Sequence, residues 1–297
     1  MMPRLVATLV ADPKRVGLSS ELIARAADRL GDVIETAILD PGVAADIVFD
    51  GTAEGAAARA REALGDHPVD CIVQPLEGRR KRLLLADMDS TLIGQECIDE
   101  LADYAGVRDT VAAITERAMR GEIEFESALR ERVSLLRGQP VAIIDRVLEQ
   151  RITLTPGARA LVQTMRRDGA YAALVSGGFT QFTSRIAERL GFHENRANVL
   201  LIAGETFSGL VAEPILGRNA KLSALKEISA RLGLAAFETM AVGDGANDLA
   251  MLGAAGLGIA FHAKPAVAAS AAARIDYGDL TALLYAQGYK REEFVGG

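Results

Sequence analysis

Histidine and cysteine are scarce: His67, His193 and His262, with Cys71 and Cys97, are all that the 297 residues contain. At these spacings they cannot build a zinc site, so any metal must be held by oxygen, and His193 and His262 read as surface residues. The two cysteines form no disulfide framework, which points to a reduced, cytoplasmic protein. Long apolar runs are missing too. No stretch reaches the eighteen or more uncharged apolar residues of a membrane span, and the start lacks a charged region leading into a long apolar one. Positive charge is also short, with 33 Lys and Arg against 40 Asp and Glu and a net charge of −7. That excludes a nucleic-acid surface, because nothing gathers enough cations to neutralise a row of phosphates. The one basic cluster, Arg79-Arg80-Lys81-Arg82, is short and reads as a solvated linker. Beyond richness in alanine there is no repeat or low-complexity segment.

What is present is an ordinary soluble composition, 49% hydrophobic and 25% charged, at a length comfortable for two domains. Residues 1–76 have a rhythm of their own. Strands at 5–10, 33–39, 46–49 and 70–73 alternate with helices at 19–30, capped by Ser19 or Ser20, and at 52–64. The order βαββαβ predicts a small α+β ferredoxin-like domain, similar to the ACT-like modules that bind amino acids in metabolic enzymes. Fold alone assigns no ligand, and dimerisation or plain packing stays equally open.

Residues 77–297 are organised around Arg82-Leu83-Leu84-Leu85-Ala86-Asp87-Met88-Asp89-Ser90-Thr91. An apolar run without alternation predicts a strand buried on both faces, the signature of a central parallel strand. Its carboxyl end delivers Asp87 and Asp89, which face the same way in extended backbone. Two carboxylates at one strand tip are tolerable only if one is protonated or a cation lies between them; otherwise one caps the strand and the other is solvated.

Between residues 95 and 151 only helical spacing is found, with breaks at Gly106, Gly121 and Gly138. Alternation of strands and helices then resumes. A strand at 171–175 runs into Ser176-Gly177-Gly178, a hydroxyl and unhindered N–H groups at a strand-to-helix junction that suit an anion or, equally, a tight turn. Residues 192–216 read as irregular with a hairpin of 199–203 and 210–214, and Lys221 follows on a helix of 219–232. A short strand at 239–242 empties into Gly243-Asp244-Gly245-Ala246-Asn247-Asp248. This loop lacks the further acidic positions of an EF-hand, so magnesium suits it better than calcium. A strand at 257–260 and a helix at 264–273 follow.

Taken in order, Asp-Met-Asp-Ser-Thr, Ser-Gly-Gly, Lys221 and Gly-Asp-Gly-Ala-Asn-Asp resemble the motifs of the haloacid dehalogenase-like phosphatases over residues 80–290. The resemblance implies an α/β Rossmann-like parallel sheet with a helical cap at about 95–151. It also implies Mg2+ held by Asp87, Asp244, Asp248 and the backbone carbonyl of Asp89, with Lys221, Ser176, Gly177 and Asn247 on the substrate phosphate; Arg218 is the nearest rival of Lys221. Asp87 would attack phosphorus to form an aspartyl-phosphate, and Asp89 would protonate the leaving alcohol and then activate water. The cap narrows the resemblance to the phosphoserine phosphatase family. There Glu96 matches the residue facing the substrate ammonium, Arg132 the one pairing its carboxylate, and Met119 and Phe125 an apolar lid; Arg130 is the alternative to Arg132. A zwitterionic substrate calls for one acid and one bidentate guanidinium, which agrees with that match. The expected partners are L-phosphoserine and, potentially, a second copy of the chain, with no nucleic acid or membrane. Another small phosphate ester, or a regulatory amino-acid-binding role, is the competing reading.

Overall fold

The computed structural model describes residues 4–12, 14, 17–120, 122–217 and 219–296, and of Met119 the backbone alone. It opens with β1 (Arg4–Ala11), α1 (Ser20–Ala27), β2 (Asp32–Asp40), β3 (Ala44–Asp50), α2 (Ala56–Leu64) and β4 (Val69–Pro75). The strands form one antiparallel sheet in the order β2-β3-β1-β4. Ser19 starts α1, its Oγ accepting the Leu22 N–H at 3.2 Å. Alternation sorts the side chains. Leu5, Ala7 and Leu9 join Ile47, Phe49 and the helices in one core, whereas Val10, Ala44 and Ile72 join the core of the next sheet.

That next sheet begins with β5 (Leu83–Ala86). Four helices follow, α3 (Cys97–Tyr104), α4 (Arg108–Met119), α5 (Phe125–Ser134) and α6 (Ile143–Gln150), and then α7 (Ala158–Arg167), β6 (Tyr171–Phe179), α8 (Thr180–Leu190) and β7 (Glu194–Asn198). A hairpin of β8 (Leu200–Ala203) and β9 (Thr206–Val211) precedes α9 (Asn219–Leu232), β10 (Thr239–Gly243), α10 (Leu249–Ala254), β11 (Leu257–Phe261), α11 (Pro265–Ser270), β12 (Ala273–Ile275) and α12 (Ala282–Ala286). Six strands lie parallel in the order β12-β11-β10-β5-β6-β7. Leu83, Leu84, Leu85 and Ala86 have no exposed surface, as a strand covered by helices on both faces requires. The chain leaves β5 toward β6 on one side and reaches β10 on the other, so the carboxyl ends of β5, β6 and β10 border the crevice where such sheets bind ligands.

Four expectations need correction. β7 and β12 were not anticipated: β7 is a polar edge strand, Glu-Asn-Arg-Ala-Asn, and β12 has three residues, so neither carries the apolar run of a central strand. The hairpin is tighter than expected, closing at Gly204 (φ +64°) and Glu205 rather than through residues 204–209. The Ser-Gly-Gly triplet lies inside β6, which runs on to Phe179, not in a turn after it. The basic cluster is solvated only in part: Arg80 and Arg82 are exposed, yet each of the four residues is tied to a distant partner. Arg79 pairs with Asp46 at 2.6 Å, Arg80 with Glu293 at 2.8 Å, Arg82 with Glu238 at 2.9 Å, and the buried Lys81 Nζ donates to the Gly78 and Phe237 carbonyls, both at 2.9 Å.

These contacts belong to a larger junction between the sheets. The buried Asp70 carboxylate accepts the backbone N–H groups of Asp276, Tyr277 and Gly278 at 2.7, 3.2 and 2.7 Å, Gln74 Nε2 donates to Ala286 O at 2.7 Å, and Tyr285 OH donates to Asp40 at 2.6 Å. Asp70→Ala would leave three N–H groups unsatisfied. Denaturant unfolding should show a loss of about 1–3 kcal/mol; a change within about 0.5 kcal/mol would mean that the junction does not depend on this carboxylate.

Candidate active site

The carboxyl ends of β5 and β10 deliver the acidic groups. Asp87 extends the parallel ladder, its N–H donating to Val242 O at 3.0 Å, which fixes its side chain beside the loop after β10. In that loop Asp248 folds back under Gly243, where a Cβ would stand 2.3 Å from Asp248 Cγ, and accepts the Gly245 N–H at 2.9 Å. Glycine is required there because the carboxylate occupies the side-chain space. Carboxylate oxygens of Asp87, Asp244 and Asp248 lie within 4.8 Å of one another. From α9 the Lys221 ammonium reaches in, 2.7 Å from Asp87 Oδ2 and 2.6 Å from Asp248 Oδ1. Thr91 Oγ1 approaches Asp244 at 3.4 Å.

Three carboxylates around one ammonium leave an excess of negative charge in a buried site, and the conflict shifts the proton affinities of the groups in it. Burial pushes the Asp87 carboxyl well above the usual range, against the pull of Lys221 and with the push of Asp248. Asp244 is raised to about 6 by burial and the Asp248 charge. Burial would lower Lys221, but Asp87 and Asp248 outweigh it and hold the ammonium at about 12. The unmet demand is for more positive charge. An all-oxygen set of three carboxylates suits a hard divalent cation such as magnesium.

Asp89 stands apart from this trio. Its Oδ1 accepts the Cys97 N–H at 3.2 Å, and its Oδ2 lies 2.8 Å from where a Cβ on Gly178 would be, so Gly178 leaves it room. Burial, then the charge of Glu96, pushes it up to about 7. A carboxyl so poised can give and take a proton near neutrality. Ser176 is buried, its Oγ accepting the Gly178 N–H at 2.9 Å. The β6–β7 register shifts between Val175 and Phe179, and there the buried Asn198 takes over: its Nδ2 donates to Gly177 O at 2.8 Å while its Oδ1 accepts the Leu216 N–H at 2.7 Å. Sequence reasoning missed Asn198, since one Asn on a polar edge strand carries no signal.

The four helices between β5 and α7 bring the remaining candidates. Phe125, the first residue of α5, reaches the mouth of the site, with Cζ 3.4 Å from the position of a Cβ on Gly177. Arg132 lies one face inward, its guanidinium donating to Ala128 O and Thr115 Oγ1, both at 3.3 Å. Burial lowers its pKa while the charges of Asp99 and Glu96 raise it, so both acids are its neighbours. Arg130 instead turns outward to Glu213, at 2.8 and 3.0 Å. Glu96 precedes α3 and accepts the Ser90 hydroxyl at 2.7 Å. Asn247 is half-buried on the loop beside Asp248. The Met119 side chain, Gly121 and Arg218 lie outside the described residues.

Residues 84–253, which carry the acidic trio, Asp89 and Lys221, match the family model described as haloacid dehalogenase-like hydrolase. The chain belongs to this hydrolase family. Over 208 residues it is 48% identical to the phosphoserine phosphatase of Polaromonas sp., an alignment covering 68% of this chain and 88% of that protein. With the phosphoserine phosphatase of Streptomyces coelicolor it shares 44% over 218 residues, which is 73% of this chain; the chain spans about half of that relative, 53%. Among solved structures, a probable phosphoserine phosphatase from Vibrio cholerae, in unliganded form, superposes with a TM-score of 0.75 at 32% identity over 96% of this hydrolase and 87% of that chain. The likeness therefore takes in the N-terminal sheet as well as the hydrolase core. No described helix is long and apolar enough to cross a membrane.

Protons would compete with a divalent ion for these carboxylates, and that fixes the sign of a pH effect. Asp89 and Asp244 are raised from 3.8 to about 7 and about 6. Without metal the folded state therefore binds more protons than the unfolded chain across this window, and its stability should rise as pH falls through it. Mg2+ needs the ionised forms, so the melting-temperature increase from millimolar Mg2+ should be several degrees at about pH 8 and small at about pH 5. Equal increments at both pH values in a thermal-shift titration would rule out binding at this trio.

Proposed function

We propose that this hydrolase is a magnesium-dependent phosphatase that converts L-phosphoserine and water to L-serine and phosphate, the last step of serine biosynthesis. The observation that carries the reading is the convergence of Asp87, Asp244 and Asp248 around the Lys221 ammonium at the tips of two adjacent parallel strands, with Asp89 beside it. Magnesium held by Asp87, Asp244 and Asp248, with the Asp89 backbone carbonyl, would supply the charge that lets a carboxylate approach a phosphate dianion.

An Asp87 oxygen attacks phosphorus, the bond to the serine oxygen breaks, and the Asp89 carboxyl gives that oxygen its proton. Asp89, now a carboxylate, takes a proton from water as the water oxygen attacks the phosphorus of the aspartyl-phosphate. Asp87 and the Asp89 proton are both restored. Lys221 faces phosphate oxygens throughout and holds Asp87 in position, while Ser176 Oγ, the Gly177 N–H and Asn247 complete the phosphate cradle. Above the site Glu96 would meet the substrate ammonium and Arg132 its carboxylate, with Met119 and Phe125 as the lid.

The same reading divides the chain into an N-terminal unit of residues 1–76 and a hydrolase unit of 77–297 with a cap at about 95–151. The separate apolar core of the first sheet supports this division. Its antiparallel order β2-β3-β1-β4 supports the ferredoxin-like reading, on which amino-acid binding and dimerisation are the roles to test. Two buried cysteines, both unpaired, fit a cytoplasmic setting.

Phosphate release from L-phosphoserine should require Mg2+ and stop with chelator. Asp87→Asn should retain less than a few per cent of turnover, and Lys221→Ala should lose roughly two orders of magnitude or more; substantial turnover in Asp87→Asn would sink the covalent route. A panel of small phosphate esters separates this substrate from the alternatives. For the carboxylate partner, Arg132→Ala should raise KM for L-phosphoserine roughly tenfold or more while Arg130→Ala leaves it near normal. The reverse pattern would transfer the role to Arg130.

A further inference from the structure

β6 leaves its ladders before the strand ends. Its pairing with β5 stops at Leu174, and its pairing with β7 passes from Val175 opposite Arg196 to Phe179 opposite Asn198. Ser176, Gly177 and Gly178 thus stand opposite the single residue Ala197, and the strand bulges with their peptide groups outside the ladder. Such groups need other partners. For one peptide unit both partners are side chains: Asn198 Nδ2 donates to Gly177 O at 2.8 Å, and the Gly178 N–H donates to Ser176 Oγ at 2.9 Å. A peptide unit is planar, so a bond at each end fixes its rotation, which the glycines on either side would otherwise leave free. The bulge lies against the site, since a Cβ on Gly178 would stand 2.8 Å from Asp89 Oδ2.

We infer that Asn198 is a positioning residue: its amide holds the Gly177–Gly178 peptide in the orientation that leaves the Ser176 hydroxyl proton and the Gly177 N–H to a phosphoryl group. This rests on the reading above, in which Ser176 and Gly177 belong to the phosphate cradle. With the Gly178 N–H on one lone pair of Ser176 Oγ, the hydroxyl's own proton remains to be donated. A rotated peptide would turn Gly177 O toward Ser176 Oγ instead and claim that proton. The cradle would then face an anion with one donor fewer.

The Asn198 amide has one orientation only. Its Oδ1 accepts the Leu216 N–H at 2.7 Å, so turning the amide over would set N–H against N–H and oxygen against oxygen. At 2% exposure it is also beyond the reach of bulk water that could replace either bond. Leu216 leads into α9, the helix of Lys221. One side chain therefore ties the Ser-Gly-Gly bulge to the segment before that helix.

Binding of inorganic phosphate to the full chain in millimolar Mg2+, followed by calorimetry, tests the role whether or not L-phosphoserine is hydrolysed. Asn198→Leu removes both bonds at similar volume. Asn198→Asp keeps an acceptor for the Leu216 N–H but opposes Gly177 O with a second oxygen. Both variants should raise the Kd for phosphate roughly tenfold or more, the scale of one hydrogen bond to a charged group. The melting-temperature increase from Mg2+ should stay near that of the wild type, because the acidic trio stands on other elements. If neither variant folds, NMR of the wild-type chain decides: phosphate with Mg2+ should shift the Gly177 backbone amide far more than the Asn198 side-chain amide, whose bond is already made. An Asn198→Asp chain that binds phosphate as the wild type does, equal losses of the phosphate and Mg2+ responses, or a Gly177 amide indifferent to phosphate would each overturn the role. The expected pattern in a chain that leaves L-phosphoserine intact would uphold it and overturn the phosphoserine reading alone.

Discussion

The contact on which the rest depends is the Lys221 ammonium between Asp87 and Asp248, at 2.7 and 2.6 Å. Each of these groups alone would be costly where it is, since an unpaired buried charge is more expensive than any single contact can offset. Together, and with Asp244 close by, they replace isolated charges by a cluster that is one cation short. Much of the architecture follows from bringing them together. Asp87 and Asp244 must arrive on adjacent parallel strands, which calls for a crossover between them, and Lys221 must arrive on a helix packed over the strand ends. Glycine at 243 follows as well, because Asp248 takes the space where a side chain would be.

Asp87 and Asp89 show how two carboxyls of the same kind, two residues apart, come to differ. Asp87 is pinned between a backbone N–H and a lysine and points to the charge cluster. Asp89 has one N–H, no direct ion pair, and Glu96 as its strongest charged neighbour, so it is held near neutrality in its titration. Burial raises both carboxyls, but the Lys221 ammonium beside Asp87 favours its ionised form whereas the Glu96 charge near Asp89 favours its protonated one, so environment separates two groups that residue type cannot.

The legible parts of the sequence were those whose physics is local. Four apolar residues in a row can only be buried, so β5 and the placing of Asp87 at its tip could be read directly. The acid-glycine loop after β10 and the helical stretch between β5 and α7 were equally plain. What could not be read depended on partners far along the chain. β7 is a strand because β6 offers it a ladder, not because Glu-Asn-Arg-Ala-Asn prefers one. Arg79, Arg80, Lys81 and Arg82 look like a solvated run until Asp46, Glu293, Phe237 O and Glu238 arrive from elsewhere. Asn198 matters only because the ladder breaks beside Gly177.

The site also explains why recognition of the rest of a substrate must come from the helices over the sheet. On the proposed chemistry every group at the strand tips, from Asp87 to Lys221, would serve phosphate, metal or proton transfer and would see the same phosphoryl group on any ester. Discrimination then needs charges that reach the site from another layer. Arg132 is turned inward between Thr115 and the acids Glu96 and Asp99, whereas Arg130, two residues away, spends its guanidinium on Glu213 at the surface. Two arginines on one helix thus differ by which way the helix turns them, and Phe125 at the start of that helix couples their placement to the Ser-Gly-Gly strand below. A movement of α5 would therefore shift the Phe125 ring and the Arg132 guanidinium together, so on the proposed reading closure over the phosphate and recognition of a carboxylate would be one event.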